Sequence, residues 1–204
     1  MKKILTAIIM AILVLTAHGA ANANIIFFDT FNSEHGGIAN SSTLNYNSFA
    51  NWNITDGTVD LIGNGYFDLF PGNGLYVDLD GSTGNAGLMS LKNPIFFNPG
   101  TYELSFFLGG NQRGYPDDSV VIRSNVNNYT QTFTISSAMP LTLFKQSFTI
   151  TSPLNASLSF ENLGGDNVGA ILDNVKISAI PEPATLSLLG LGLLGLLGFK
   201  KRVS

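Results

Sequence analysis

The chain has 204 residues, 45% hydrophobic and only 12% charged, with 14 acidic against 10 basic side chains and a formal net charge of −4. That length suits one domain, or one domain with sorting segments at its ends. An acidic balance without a basic block argues against nucleic acid as a partner, and zero cysteine excludes a disulfide scaffold, a thiolate metal site and a cysteine nucleophile.

Residues 1–23 read as a signal peptide. Lys2 and Lys3 form a charged start, Ile4 to Leu15 an apolar run, and Ala21-Asn22-Ala23 the small-x-small pattern of a signal-peptidase site. The run is about a dozen residues, whereas a spanning helix needs about 20. Cleavage after Ala23 makes Asn24 the mature start and leaves His35 as the single histidine of the body.

Residues 24–180 read as an all-β domain. Tyr102, Leu104, Phe106 and Leu108 alternate with Glu103, Ser105 and Phe107; Phe148 and Ile150 alternate with Ser147, Thr149 and Thr151; Leu158 and Phe160 alternate with Ser157, Ser159 and Glu161. In chain order the predicted strands are 25–29, 51–55, 58–62, 66–69, 75–79, 87–92, 101–109, 119–123, 130–135, 144–151, 156–161 and 170–178. Turn clusters separate them, among them Asp56-Gly57, Gly63-Asn64-Gly65, Asn98-Pro99-Gly100 and Gly164-Gly165-Asp166. No stretch has convincing helical periodicity. Short strands about ten residues apart predict a two-sheet jelly-roll β-sandwich. The body carries five basic and thirteen acidic residues, a net charge of −8, which fits cations and neutral glycans better than anionic membranes.

Residues 181–204 form a distinct tail. Pro181-Glu182-Pro183 precedes an apolar stretch from Ala184 to Phe199, closed by Lys200, Lys201 and Arg202. As a helix those 16 residues rise about 24 Å, a short transmembrane helix against a hydrocarbon layer of about 30 Å. The basic end should stay cytoplasmic, with the body on the periplasmic side. Gly190-Leu191-Gly192-Leu193-Leu194-Gly195 matches a dinucleotide fingerprint, but it lacks the preceding strand and downstream acid that the chemistry needs.

The tail closely resembles the PEP-CTERM sorting signal of exopolysaccharide-producing Gram-negative bacteria, with the motif, the Gly/Leu helix and the basic cluster in order. The resemblance implies an exosortase that cuts near Pro181-Glu182-Pro183 after transient anchoring in the inner membrane, then releases the body to the cell surface or extracellular matrix. The plain alternative is a permanent single-span anchor. The opening strand Ile25 to Phe31 and the closing Leu172-Asp173-Asn174-Val175-Lys176-Ile177 resemble galactose-binding-like jelly rolls, which include many carbohydrate-binding modules. Gly74 to Ser82 is similar to a segment found in some PEP-CTERM proteins with that domain.

Candidate sites follow from side-chain chemistry. Asp78 and Asp80 would share one strand face about 7 Å apart and could hold Ca²⁺, which prefers oxygen ligands; the plain reading is an Asp-Gly turn. Asp29, Glu34 and Asp173 form a second candidate Ca²⁺ set if the first and last strands pair. Structural Ca²⁺ is the one cofactor considered. Asn111, Gln112, Arg113 and Tyr115, on the loop after the strongest strand, offer amides, a guanidinium and a ring for sugar contact. Trp52, which faces the same way as Ile54, is expected in the core; Tyr46 and Tyr66 are weaker sugar platforms.

No G-x-S-x-G, H-E-x-x-H or Walker A motif is present. A glycosidase could work with Asp and Glu alone, for instance Asp78 with Glu103, though nothing marks that pair. The leading expectation is a non-enzymatic, exported protein associated with exopolysaccharide. The alternative is a secreted glycan-active enzyme.

Overall fold

A computed structural model describes residues 23–37, 42–65 and 67–181. Most of the signal segment, Glu182 onward and Tyr66 lie outside the described residues. Two compact units are distinguished, and Ile25–Ala179 is the larger.

Thirteen strands build this unit: β1 (Ile25–Asp29), β2 (Trp52–Thr55), β3 (Asp60–Ile62), β4 (Tyr76–Asp78), β5 (Leu88–Leu91), β6 (Ile95–Phe97), β7 (Gly100–Gly109), β8 (Asp118–Ser124), β9 (Tyr129–Ile135), β10 (Thr142–Ile150), β11 (Leu154–Ala156), β12 (Ser159–Asn162) and β13 (Ile171–Ile180). One sheet has the order β10-β7-β13-β4-β3, with β1 also on β13. The other has the order β2-β5-β12-β8-β9, and β6 and β11 form a separate pair. The chain passes repeatedly from one sheet to the other, which is jelly-roll connectivity. The only helical pieces among the described residues are 3-10 turns at Glu34–Gly36 and Val126–Asn128.

The period-2 pattern of β7 decides its orientation. Tyr102, Leu104, Phe106 and Leu108 are buried, and Phe106 meets Phe160 of β12 at 5.5 Å and Phe133 of β9 at 5.8 Å between ring centroids. These edge-to-face contacts cross from one sheet to the other, so the core lies between them. Trp52 is fully buried against Phe27 and Phe160, as its strand position predicts.

The first and last strands pair antiparallel from Ile25↔Ser178 to Asp29↔Val175. β4 occupies the same edge of β13 further back, opposite Ile171 and Leu172. Asn174, at φ 51°, kinks β13 between these two partners.

Two expectations need correction. Of the strand expected at 66–69, the described residues 67–69 form none: the Tyr76 hydroxyl accepts hydrogen bonds from the backbone N–H groups of Leu69 and Phe70 and donates to Asp68. The segment therefore wraps one hydroxyl instead of pairing. Its Leu69 and Phe70 pack on a small second cluster of Ile62, Tyr76 and Ile171. Conversely, β6 falls outside every predicted strand, yet it pairs with β11. Among the described residues no helix is long and apolar enough to cross a membrane, and the tail expected to do so is not described.

Candidate functional site

β7 ends at Gly109, and the next residues turn against the 136–139 segment. Gly110 donates its N–H to the Met139 carbonyl and Gln112 to the Ser137 carbonyl. A side chain at Gly110 would collide with the Ser136 and Ser137 backbone, so glycine is required for this close approach. Asn111 is fully buried. Its oxygen accepts from the Arg113 N–H and the Ser137 hydroxyl, and its Nδ2 donates to Asp118 at 3.2 Å. Gln112 donates Nε2 to the Met139 carbonyl at 2.7 Å and to Gly110 and Ser137.

Of the four residues predicted to contact sugar here, the two amides are therefore built into the loop. Arg113 and Tyr115 remain to face outward. The Arg113 guanidinium lies 5.1 Å from the Phe67 ring centroid, a cation–π arrangement beside an exposed aromatic. Tyr115 is 47% exposed.

Asp29, Glu34 and Asp173 are all buried, and every one of their carboxylate oxygens accepts a hydrogen bond. Asp29 takes Phe31 N–H on one oxygen and Asn51 Nδ2 and Trp52 Nε1 on the other. Glu34 takes the Ala50 N–H and the Tyr46 hydroxyl. Asp173 takes Asn73 Nδ2, Asn174 Nδ2 and the Asn174 N–H at 2.6–2.7 Å. Burial pushes the Asp173 carboxyl up to about 7, with a smaller contribution from the Asp29 charge. Among the described residues no three acidic or imidazole side chains are placed to hold a metal. The strand ends meet as expected, but their acids serve backbone and amide donors.

Asp78 and Asp80 also part company. Asp78 is buried and its Oδ1 accepts the N–H groups of Asp80 and Gly169. Burial, then the nearby Asp60 charge, raises its pKa well above the ordinary carboxylate value. Asp80 instead reaches toward the 164–167 loop, where Oδ2 accepts the Asp166 N–H at 3.3 Å. Asp78 and Glu103 do not form an open carboxylate pair: β13 separates their strands, and Glu103 pairs with Lys145 at 3.0 Å.

A cleft that no motif in the sequence marks opens beside the edge strands β9 and β10. Its volume is about 390 Å³, and its lining includes Phe97, Tyr129, Phe148, Asn127 and Gln146. Phe148 stacks on Tyr102 at 5.7 Å and meets Phe97 edge-on at 5.6 Å. Gln146 is exposed although it follows the inward phase of Phe144 and Phe148, and it lines this cleft. Aromatic faces flanked by carboxamides match the two surfaces of a sugar ring, and the volume lies within the usual range for ligand pockets. The signal available in the sequence was Gln146, a lone amide at an inward position of an otherwise aromatic strand face.

Comparison with known proteins locates the tail. Residues 179–202 match the PEP-CTERM protein-sorting motif, so the chain carries that motif at its C-terminal end. No curated protein matches the sequence. Among solved structures, the chain is similar to the CBM22-1–GH10 modules of endo-1,4-beta-D-xylanase 10B from Clostridium thermocellum, solved with xylohexaose. The identity is 15% and the TM-score 0.48; the match covers 79% of this chain and only 30% of that one. The CBM22-1 xylan-binding domain from Paenibacillus barcinonensis is matched at 12% identity and TM-score 0.43, over 81% of this chain and 100% of the other. A family 35 carbohydrate-binding module from Clostridium thermocellum is matched at 14% identity and TM-score 0.44, over 76% and 99%. None of the three carries the functional reading below, which rests on the chain's own motif and surfaces.

Proposed function

We propose that this is an exported, non-enzymatic surface or matrix protein, processed by signal peptidase and an exosortase, whose β-sandwich binds a neutral exopolysaccharide. The observation that carries the reading is the sorting motif at 179–202 directly behind an all-β body. Its neighbourhood is the cell envelope, where polysaccharide is the abundant polymer. The body's net charge of −8 disfavours polyanions and leaves neutral chains as the compatible class. The β9–β10 cleft, with Tyr129, Phe148 and Gln146, takes the sugar; Arg113 and Tyr115 form an outer contact. The apolar tail segment anchors the protein in the inner membrane until it is cut.

Co-sedimentation of the protein with purified neutral exopolysaccharide tests this. Tyr129→Ala and Gln146→Ala should each weaken binding by roughly tenfold, the loss of about 1.4 kcal/mol of ring contact or hydrogen bonding. Tyr115→Ala should weaken it less. Undiminished binding in the cleft variants, with loss in Tyr115→Ala, moves the site to the loop. Release of shortened sugars during the assay would replace the binding reading with the glycan-active enzyme.

A further inference from the structure

We infer that the floor of the β9–β10 cleft takes the acetyl group of an O-acetylated sugar, so that the preferred ligand is an O-acetylated neutral glycan and not the bare polymer. The inference rests on the reading of this cleft as the sugar site and names the substituent that the site selects. The lining contains no Asp, Glu, Lys, Arg or His side chain. It divides by depth. Phe97, Leu104, Leu158 and Ile177 line the cleft while at most 5% exposed, and all four belong to the hydrophobic core. The mouth is polar and uncharged: Asn127, Gln146, Ser147 and Thr149 are exposed.

The two depths demand different things of a ligand. A bare sugar ring suits the mouth, but a hydroxyl directed inward meets hydrocarbon side chains and gives up its hydrogen bonds to water without replacement. A methyl group in the same place leaves water at a gain. A wholly apolar ligand fails the other way, because it covers carboxamides at the mouth and offers them no partner. The lining therefore fits a polar body with one short apolar projection. An acetyl ester adds a carbonyl acceptor between ring and methyl, at the depth where the lining changes character. Tyr129 is half-buried, and its hydroxyl is a protonated donor at neutral pH, the more so because burial raises its pKa. An O-methyl or deoxy-sugar methyl would fill the floor but would present no acceptor to Tyr129.

The walls are held in place by the chain itself. Asn125 Nδ2 donates to the Asn155 carbonyl at 2.9 Å, and Asn125 Oδ1 accepts the Ser157 N–H at 2.8 Å. These bonds tie the Val126–Asn128 turn to the segment that carries Ala156 and Leu158. Gln146 Nε2 donates to the Ser147 carbonyl at 2.9 Å, which leaves its oxygen to accept from a ring hydroxyl.

The test uses one neutral exopolysaccharide in two forms: de-esterified in mild alkali, and de-esterified then re-acetylated with acetic anhydride. Both are coupled to beads, and the affinity of the protein for each is measured by co-sedimentation. The re-acetylated form should bind about tenfold more tightly, equivalent to about 1.4 kcal/mol. Ala156→Val adds bulk at a lining position that is 5% exposed, and should bring the ratio of the two affinities close to one. Melting followed by Trp52 fluorescence reports whether this variant is folded; if it is not, the ratio measured for the parent decides alone. Equal binding of the two forms by the parent overturns the acetyl pocket and leaves the sugar reading standing. A tenfold ratio that survives in folded Ala156→Val overturns the floor as its location. No binding to either form overturns both the pocket and the sugar reading.

Discussion

Replacing Asp173 by asparagine should stabilise the protein at pH 9 and slightly destabilise it at pH 4. The native carboxyl titrates at about 7, because it is buried where β13 kinks. In the unfolded chain it titrates near 3.9. Between these values the unfolded chain has released the proton and the native chain still holds it. The unfolded state then binds fewer protons, so stability falls as pH rises, by about 1.4 kcal/mol per pH unit. The loss is complete above pH 7 and is on the order of 4 kcal/mol.

Asparagine mimics the neutral carboxyl and removes this dependence. It keeps an oxygen for the Asn174 N–H but turns an amide toward Asn73 and Asn174, whose own amides must rotate. One imperfect hydrogen bond costs about 1 kcal/mol. The variant should therefore melt a few degrees below the parent at pH 4, cross it near pH 5, and melt on the order of 10 °C above it at pH 9. Trp52 fluorescence melts in EDTA across pH 4–9 measure this. A deficit of constant size at every pH would refute the raised carboxyl.

Four further outcomes follow. Trp52→Phe should cost about 3 kcal/mol, because it leaves Asp29 Oδ2 short of a buried donor and opens space beside Phe160; urea melts would show it. Gly110→Ala should impair folding and lower soluble yield, since the added Cβ meets backbone and not a movable side chain. Lys145→Ala should change stability by less than about 1 kcal/mol, because its pair with Glu103 is largely solvent-exposed. Glu182→Ala should leave the uncut form in the inner membrane, detected by fractionation and blotting.

Much of the sandwich was legible because its strands are short, alternate cleanly and end in Gly, Asn and Pro turns. The strand expected at 66–69 shows where that reading fails: the residue types suit a strand, but the Tyr76 hydroxyl captures the amides of Leu69 and Phe70. β6 fails the opposite way, since only its partner β11, about 60 residues on, makes Ile95–Phe97 a strand. The loop carrying Asn111 and Gln112 was located correctly on the strand end, while the bonds that tie its two amides down depend on the 136–139 segment, which local sequence does not reveal.

Intact-mass spectrometry of the protein recovered from the surface or matrix fraction of its native host tests the central claim most directly, because one number reports both ends. The account predicts a species that begins at Asn24, ends near Pro181-Glu182-Pro183 and lacks Leu186 to Ser204. A protein that still carries the apolar stretch and Lys200-Lys201-Arg202, or that retains Met1 to Ala23, would contradict it.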